Sequence, residues 1–481
     1  MAPNNLDVDV AILGAGTAGM VAYRAALAHT QKVVVVEGYA YGTTCARVGC
    51  MPSKLLIAAA DAAHAAREAE GFGIRVGPLQ IDGAAVMRRV RSERDRFVGL
   101  TREVVESWPA AHRVWGHARF VDARTLQVDD HTRITAQRVV IATGSRPSVP
   151  EGWREKLGDR LLVSDDVFDW NDLPKSVAVV GGGPIGLELA QALHRLGVRV
   201  RVYAEDGNLG PLTDPALRAI ALSVFAEEMP VWHHASDLQP ERDGDGVVVH
   251  ATVDGARITE RFDVLLAATG RKANLEELGL DALKLPYDDR GRLRYDRRTG
   301  RVGETSIFIA GDAASDRPLL HEAADGGRIA GDNAGRPDEP KEHPRRTPLG
   351  VVFTDPQMTV AGASHAELRR AGKPFAAGVA SFEDQGRSRA MRKNRGAIHV
   401  YAERGTGRFL GAEMIGPAAE HIGHLLAWSV QRGDTVAQML ACPIYHPVVE
   451  EGMRTALRDL AHTLDQAPEP ESECLSCGPG T

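Results

Sequence analysis

Long apolar runs are missing: no stretch of the 481-residue chain approaches the roughly 20 residues needed to span a bilayer. The start, Met1 to Asp9, has neither a positive stretch nor an apolar core before the first glycine turn, so no export signal is read there. Basic tracts are missing too. The net charge is −7, which makes nucleic acid and anionic membrane poor partners. Cysteine is scarce. Five residues, at 45, 50, 442, 474 and 477, are too few and too clustered for a secreted disulfide scaffold, and the expected location is cytoplasmic. What is there is an ordinary globular composition, 43% hydrophobic and 25% charged, on a length that suggests about three domains.

The chain contains one unit twice. VDVAILGAGTAGMVAYRAALAHTQKVVVVE starts at Val8, and KSVAVVGGGPIGLELAQALHRLGVRVRVYAE starts at Lys175. Each reads as a buried β-branched strand, a glycine turn, an amphipathic helix and a second strand. Gly14, Gly16 and Gly19 form G-x-G-x-x-G in the first copy; Gly181, Gly183 and Gly186 form it in the second. The first glycine permits the tight turn, the second lets backbone approach a pyrophosphate, and the third lets helix and strand pack closely. Two tight turns in an unrelated α/β sheet are the bland alternative.

The copies differ where a ribose would be read. Glu37 lies 23 residues beyond Gly14, at the end of the second strand, where a carboxylate accepts hydrogen bonds from ribose hydroxyls. The same step from Gly181 reaches Ala204, followed by Glu205 and Asp206. No arginine stands there for a 2′-phosphate, which favours NAD over NADP, although Arg199 and Arg201 on the preceding strand are within reach. VVIATGSRP (139–147) and VLLAATGRKAN (264–274) each read as a strand running into a Thr-Gly turn, with Thr143, Gly144 and Gly270 as binding candidates. IFIAGDAA (307–314) ends in Gly311-Asp312, where the aspartate suits either a ribityl hydroxyl or a helix cap.

After Glu37 comes GYAYGTTCARVGCMPSK. Cys45 and Cys50 are five apart, and Pro52 reads as a helix start. In a regular α-helix their Cα atoms would stand roughly 8–9 Å apart, and a disulfide needs less than about 7 Å. A bridge therefore requires an irregular turn, which Gly49 can supply. A dithiol near a helix N-terminus also favours the reactive thiolate. Two reduced structural cysteines are the alternative.

This segment resembles the C-x4-C-x-P-S-K redox signature of the flavin disulfide reductases, which include dihydrolipoyl dehydrogenase, glutathione reductase and mercuric reductase. The resemblance covers roughly residues 8–465 and is greatest to the dihydrolipoyl dehydrogenases. It implies an α/β fold with two Rossmann-like units, one for FAD and one for NAD, and a C-terminal α+β dimerisation domain. The implied division is 1–148 and 271–345 for FAD, 149–270 for NAD(P) and 346–465 for dimerisation; 466–481, rich in proline, glutamate and serine, reads from composition as a flexible tail. The resemblance places FAD on the first repeat and Asp312, and the nicotinamide cofactor on the second. Cys50 would lie against the flavin, Cys45 would exchange with substrate, and Lys54 would pair with Glu188 near the flavin.

Near the end, IYHPVVEEGMRTALRDL sets His446 before Pro447, read as a helix start, with Glu450 and Glu451 beyond. Thiol–disulfide exchange needs a base, and a carboxylate orients an imidazole for that work. The pattern resembles the family's H-P-x-x-x-E dyad, which implies His446 as base and Glu451 as partner, reaching the cysteines of the opposite subunit in a homodimer. Cys442 reads as a buried small residue, and the apolar stripe of EHIGHLLAWSVQ as core. Ile444, Pro184 and Ala273 depart from the commonest dihydrolipoyl dehydrogenase pattern without removing a catalytic group.

The tail carries Cys474 and Cys477, an incidental end or a mobile dithiol serving a bulky substrate. The expected reaction passes electrons from a dihydrolipoyl group, free or on a carrier protein, to NAD+. The runner-up is NAD(P)H-driven reduction of another disulfide, a protein thiol or Hg2+, although mercuric reductases lack a histidine like His446. A soluble transhydrogenase, which lacks one redox cysteine, fits less well, and a flavin-bearing or metal-binding assembly subunit is the non-enzymatic reading.

Overall fold

A computed structural model describes residues 4–205 and 207–465. The first glycine-turn copy folds as β1 (Asn4–Leu13), α1 (Thr17–Ala26) and β2 (Val33–Glu37). Then come α2 (Thr44–Val48), α3 (Cys50–Glu68) and α4 (Gly83–Glu106), with an irregular connection across 73–82. β3 (Arg113–Trp115), β4 (Ala118–Phe120), β5 (Thr125–Val128) and β6 (Thr132–Ile141) complete the first part of a sheet ordered β3-β2-β1-β6-β5-β4. Val10 to Leu13, Val33 to Val36 and Val139 to Ile141 are almost fully buried, as expected of parallel strands covered on both faces.

β7 (Ser145–Pro147) and α5 (Trp153–Leu157) lead to a second sheet. It contains β8 (Leu161–Val163) and β9 (Ser176–Val180), then α6 (Pro184–Arg195), β10 (Arg199–Tyr203), α7 (Pro215–Glu228) and β11 (Val231–Trp232). An antiparallel meander of β12 (Ala235–Asp243), β13 (Gly246–Val253) and β14 (Ala256–Phe262) precedes β15 (Val264–Ala267), giving the parallel order β11-β10-β9-β15-β8. β16 (Arg271–Ala273) turns back and pairs antiparallel with β7, so the two Thr-Gly turns join the units by a two-stranded link.

The chain then returns to the first sheet. β17 (Ile307–Ile309) pairs parallel with β6, and α8 (Leu320–Gly335) lies against α1. The two helices approach through small residues. A Cβ on Gly327, Gly331 or Gly335 would stand 2.3, 2.2 or 2.8 Å from the carbonyl oxygens of Ala18, Ala22 and Ala26. The spacing of four on both helices, glycine facing alanine, is legible in the sequence once the two are known to pair.

The last unit is an antiparallel sheet, β18 (Leu349–Val352), β19 (Gln357–Gly362), β20 (Phe375–Ser381), β21 (Ala397–Glu403) and β22 (Phe409–Gly416), ordered β18-β19-β22-β21-β20. Its helices are α9 (His365–Ala371), α10 (Gly386–Ala390), α11 (Ala419–Arg432), α12 (Val436–Leu440) and α13 (Glu451–Thr463). Ile422, Leu426 and Ala427 of α11 are buried in this unit's core, as the apolar stripe suggested.

Three readings need correction. Pro52 does not open its helix: α3 starts two residues earlier, at Cys50, because the irregular backbone of Gly49 already ends α2. Pro447 opens no helix either; it follows a cis peptide bond, and α13 begins at Glu451. Cys442 is exposed, its Sγ lying 3.5 Å from the Gln438 carbonyl oxygen just past α12, where the chain leaves the core. Among the described residues no helix is long and apolar enough to cross a membrane.

Candidate active site

Both glycine turns are built alike. Gly14 and Gly181 have φ of +106° and +118°, and a Cβ on either would meet the carbonyl oxygen of Ala142 or Ala268 at 2.4 or 2.3 Å. Gly19 and Gly186 sit under the turns, with room for no side chain. Around Gly16 and Gly183 there is only open space, and each is a helix N-cap without a side-chain hydrogen bond. The amides at the start of α1, and those from Ile185 onward in α6 where Pro184 has no N–H, are therefore left uncapped at an open approach, which is what a pyrophosphate requires.

Glu37 ends β2 with both carboxylate oxygens engaged by backbone: Oε2 accepts from Ala15 N at 2.8 Å and Oε1 from Tyr39 N at 2.9 Å. The carboxylate is thereby fixed beside the first turn. Ala204 occupies the matching place in the second unit and is buried. Arg201 does not reach round. Its guanidinium pairs with Glu260 at 2.9 Å and lies over the Trp232 ring, while Arg199 lies over Phe262. Asp206 lies outside the described residues.

Thr143 and Gly144 belong to the link between the units. Thr143 Oγ1 donates to the Asn274 carbonyl oxygen at 2.7 Å, and Asn274 N donates to that of Gly144. Gly270 mirrors this, its carbonyl oxygen accepting from Ser148 N. Asp312 follows Gly311 at the end of β17 and accepts from Ser145 Oγ at 2.7 Å. It caps no α-helix, because α8 begins at Leu320 with Leu319 as its N-cap. One of its carboxylate oxygens is left for a ligand. An uncapped helix end, a fixed ribose-level carboxylate and a half-free aspartate suit the pyrophosphate, ribose and ribityl parts of FAD.

Cys45 lies in α2 and Cys50 opens α3. A Cβ on Gly49 between them would come within 3.0 Å of the Thr44 carbonyl oxygen and 3.3 Å of Cys45 Cα, so glycine is what lets the two helices fold together here. Both cysteines are thiols within hydrogen-bonding reach of one another. The hydrogen bond from Cys45 brings the Cys50 thiol down to about 7; burial opposes this and the Lys54 charge assists it. The same bond, then burial, pushes Cys45 far above the usual thiol range. Lys54 Nζ pairs with Glu188 Oε2 of α6 at 2.7 Å and lies over the Phe353 ring. Glu188 Oε1 in turn accepts from Phe353 N at 2.8 Å, which ties the pair to the last unit.

Beside Cys45 runs a groove of about 390 Å³, with Met20 and Val21 of α1, Met51, Phe97 and Leu100 of α4, and Leu320 as its apolar wall and Arg24, Thr17, Thr43 and Thr101 as its polar lining. His446 and Glu451 form a dyad: Nδ1 lies 3.0 Å from Oε1. Glu451 is 2% exposed and is also held by Val448 N and Arg454, whereas the His446 side chain is 69% exposed. No hydrogen bond joins His446 to Cys45 or Cys50 of its own chain. Tyr445 and Trp428 are exposed apolar side chains of the same unit. Cys474 and Cys477 lie outside the described residues.

Residues 8–327 match the family described as pyridine nucleotide-disulphide oxidoreductase, and 349–457 match its dimerisation domain. A mercuric reductase of Streptomyces lividans is 32% identical over 95% of this chain and 96% of its own. A dihydrolipoyl dehydrogenase of Halobacterium salinarum is 30% identical over 95% and 97%. The crystal structure of LpdA from Mycobacterium tuberculosis superposes with a TM-score of 0.79 at 25% identity, covering 94% of this chain and 99% of that one.

Proposed function

Because the chain belongs to the pyridine nucleotide-disulphide oxidoreductases and is an FAD-dependent disulfide oxidoreductase linked to NAD(H), we propose that it oxidises dihydrolipoyl groups, free or on a carrier protein, with NAD+. The observation that carries this reading is the groove beside Cys45. Met20, Val21, Met51, Phe97, Leu100 and Leu320 give it a mainly apolar lining that suits the alkyl chain of a dihydrolipoyl group, and its single charged side chain, Arg24, disfavours a cation such as Hg2+.

In this reading Cys45 exchanges with substrate and Cys50 faces the flavin. His446 takes the proton of the attacking thiol, and Glu451, buried and anchored by backbone, orients the imidazole. Bound FAD supplies a two-electron acceptor between the cysteine pair and the nicotinamide. Gly14, Gly16, Gly19, Glu37, Lys54 with its partner Glu188, Thr143, Gly144, Gly311 and Asp312 are assigned to FAD; Gly181, Gly183, Gly186 and Gly270 to NAD, over 149–270. Engagement of Arg199 and Arg201 elsewhere supports NAD rather than NADP. The chain carries the family's dimerisation domain, which supports a homodimer. Since His446 touches no cysteine of its own chain, we assign it to the disulfide of the other subunit. A cytoplasmic setting, where exchangeable thiols stay reduced, goes with this assignment.

The test is turnover of the FAD-loaded protein with dihydrolipoamide and NAD+, beside NADH with Hg2+ and NADH with protein disulfides. The form ending at Asp465 is assayed in parallel. Rapid NADH formation that Cys45→Ser abolishes and truncation spares is the expected result. NADH-driven consumption of Hg2+ or of a protein disulfide, with no dihydrolipoamide turnover, would overturn the reading.

A further inference from the structure

Asp312 is held by a hydrogen-bonded relay that begins in the other nucleotide unit. Ser145, the first residue of β7, donates from Oγ to Asp312 Oδ2 at 2.7 Å. Arg271, the first residue of β16, donates from Nε to Ser145 Oγ at 2.9 Å and from Nη2 to the Ser145 carbonyl oxygen at 2.8 Å. Its Nη1 lies 3.2 Å from Oδ1 of Asp165, which follows β8. The side chains of Arg271 and Asp165 are 15% and 26% exposed, so the arginine is well shielded from water.

The direction of this relay is fixed by chemistry. A guanidinium can only donate. The Ser145 hydroxyl must therefore accept from Arg271, and its single proton is committed to Asp312 Oδ2. Among the described residues Asp312 has no other side-chain hydrogen bond and no ion pair, so its Oδ1 is the oxygen left for a ligand. A serine without the arginine could turn its proton elsewhere, and an aspartate without the serine could rotate freely.

Domain linkage alone does not account for the arrangement. The units are already joined by the β7–β16 pairing, by Thr143 with Asn274 and by Thr269 with Ser148. The relay adds a contact that ends on a carboxylate instead of on backbone.

We propose that Ser145 and Arg271 are positioning residues for the flavin cofactor: they lock the Asp312 carboxylate so that Oδ1 receives a ribityl hydroxyl. The proposal rests on the assignment of Asp312 to FAD. Neither residue touches the reacting atoms, and neither belongs to the disulfide or dyad machinery.

The experiment follows FAD release from the holoenzyme, as the rise in flavin fluorescence, at a temperature where far-UV circular dichroism of every variant matches wild type. Ser145→Ala and Arg271→Met are expected to release FAD about tenfold faster, the scale of one hydrogen bond to a charged group. Ser145→Thr keeps the hydroxyl and stays within about twofold of wild type. Asp312→Ala releases at least as fast as Ser145→Ala, and adding Ser145→Ala to it changes nothing further, because the relay has lost its target. Should Arg271→Met not fold, Asp165→Asn loosens the arginine without removing it and is expected to speed release severalfold. Fast release from Asp312→Ala with wild-type release from Ser145→Ala and Arg271→Met overturns the relay alone. Wild-type release from Asp312→Ala sinks the assignment of Asp312, and the relay with it.

Discussion

The helices that follow the two glycine turns are held in place by opposite means. α1 is pressed against α8 through facing glycines and alanines, so its grip on that helix is close backbone packing, with Tyr23 Oη beside His112 Nδ1 at 2.8 Å on another side. α6 is anchored at its last residue, Arg195, which is 3% exposed and pairs with Glu228 at 2.5 Å, Asp61 at 3.0 Å and Asp355 at 3.2 Å. The turns themselves are near copies. Identical local geometry thus tolerates different supports, and each support fails in its own way: the first by any added atom, the second by loss of a charge partner.

The harshest way to break the symmetry is Gly331→Val. Its Cβ would stand 2.2 Å from the Ala22 carbonyl oxygen, so no yellow, folded protein is expected, as judged by flavin content after purification. Arg195→Met should be milder, because three carboxylates lose their common partner without any steric clash. A loss of about 3–5 kcal/mol is expected in denaturant unfolding, with flavin still bound to the first unit. At the seam between the units, Lys54 of α3 faces Glu188 of α6. Cys50 is lowered to about 7, so its thiolate accumulates as pH rises through 7, and alkylation of the reduced enzyme by iodoacetamide should rise with it. Lys54→Met removes a charge that favours the thiolate and should move that midpoint upward by about 0.5–1 unit. The smallest effect belongs to Cys442→Ser. This exposed residue lies outside both units, and its loss should change stability by less than about 0.5 kcal/mol in the same unfolding assay.

Legibility in the sequence followed distance along the chain. The glycine turns, the Glu37 step and the cysteine pair are each written within about 30 residues, where strand, turn and helix geometry leave few choices. The need for an irregular turn at Gly49 could be deduced from helix dimensions alone. What escaped depends on partners far apart: the α1–α8 stripe, the Arg195 hub and the Arg271–Ser145 relay; the return of 271–345 to the first unit was legible only through the family resemblance, since no local pattern in β17 names β6 as its partner. Pro447 and Cys442 were misread for a related reason. A proline at a helix start and a proline after a cis bond look alike in sequence, and burial of a lone cysteine depends on where the chain leaves its core.

The return of β17 and α8 to the first sheet has a consequence for how the protein is made. A ribosome finishes the whole second nucleotide unit before it supplies Ile307–Ile309, the strand that pairs with β6, and the helix that covers α1. Until then the nascent first unit exposes an unpaired strand edge and a bare stripe of alanines. Closure of a loop spanning the entire second unit is a costly, non-local event. Assembly order therefore runs against synthesis order: the unit translated first is the one completed later, and during that interval it depends on its neighbour having folded cleanly.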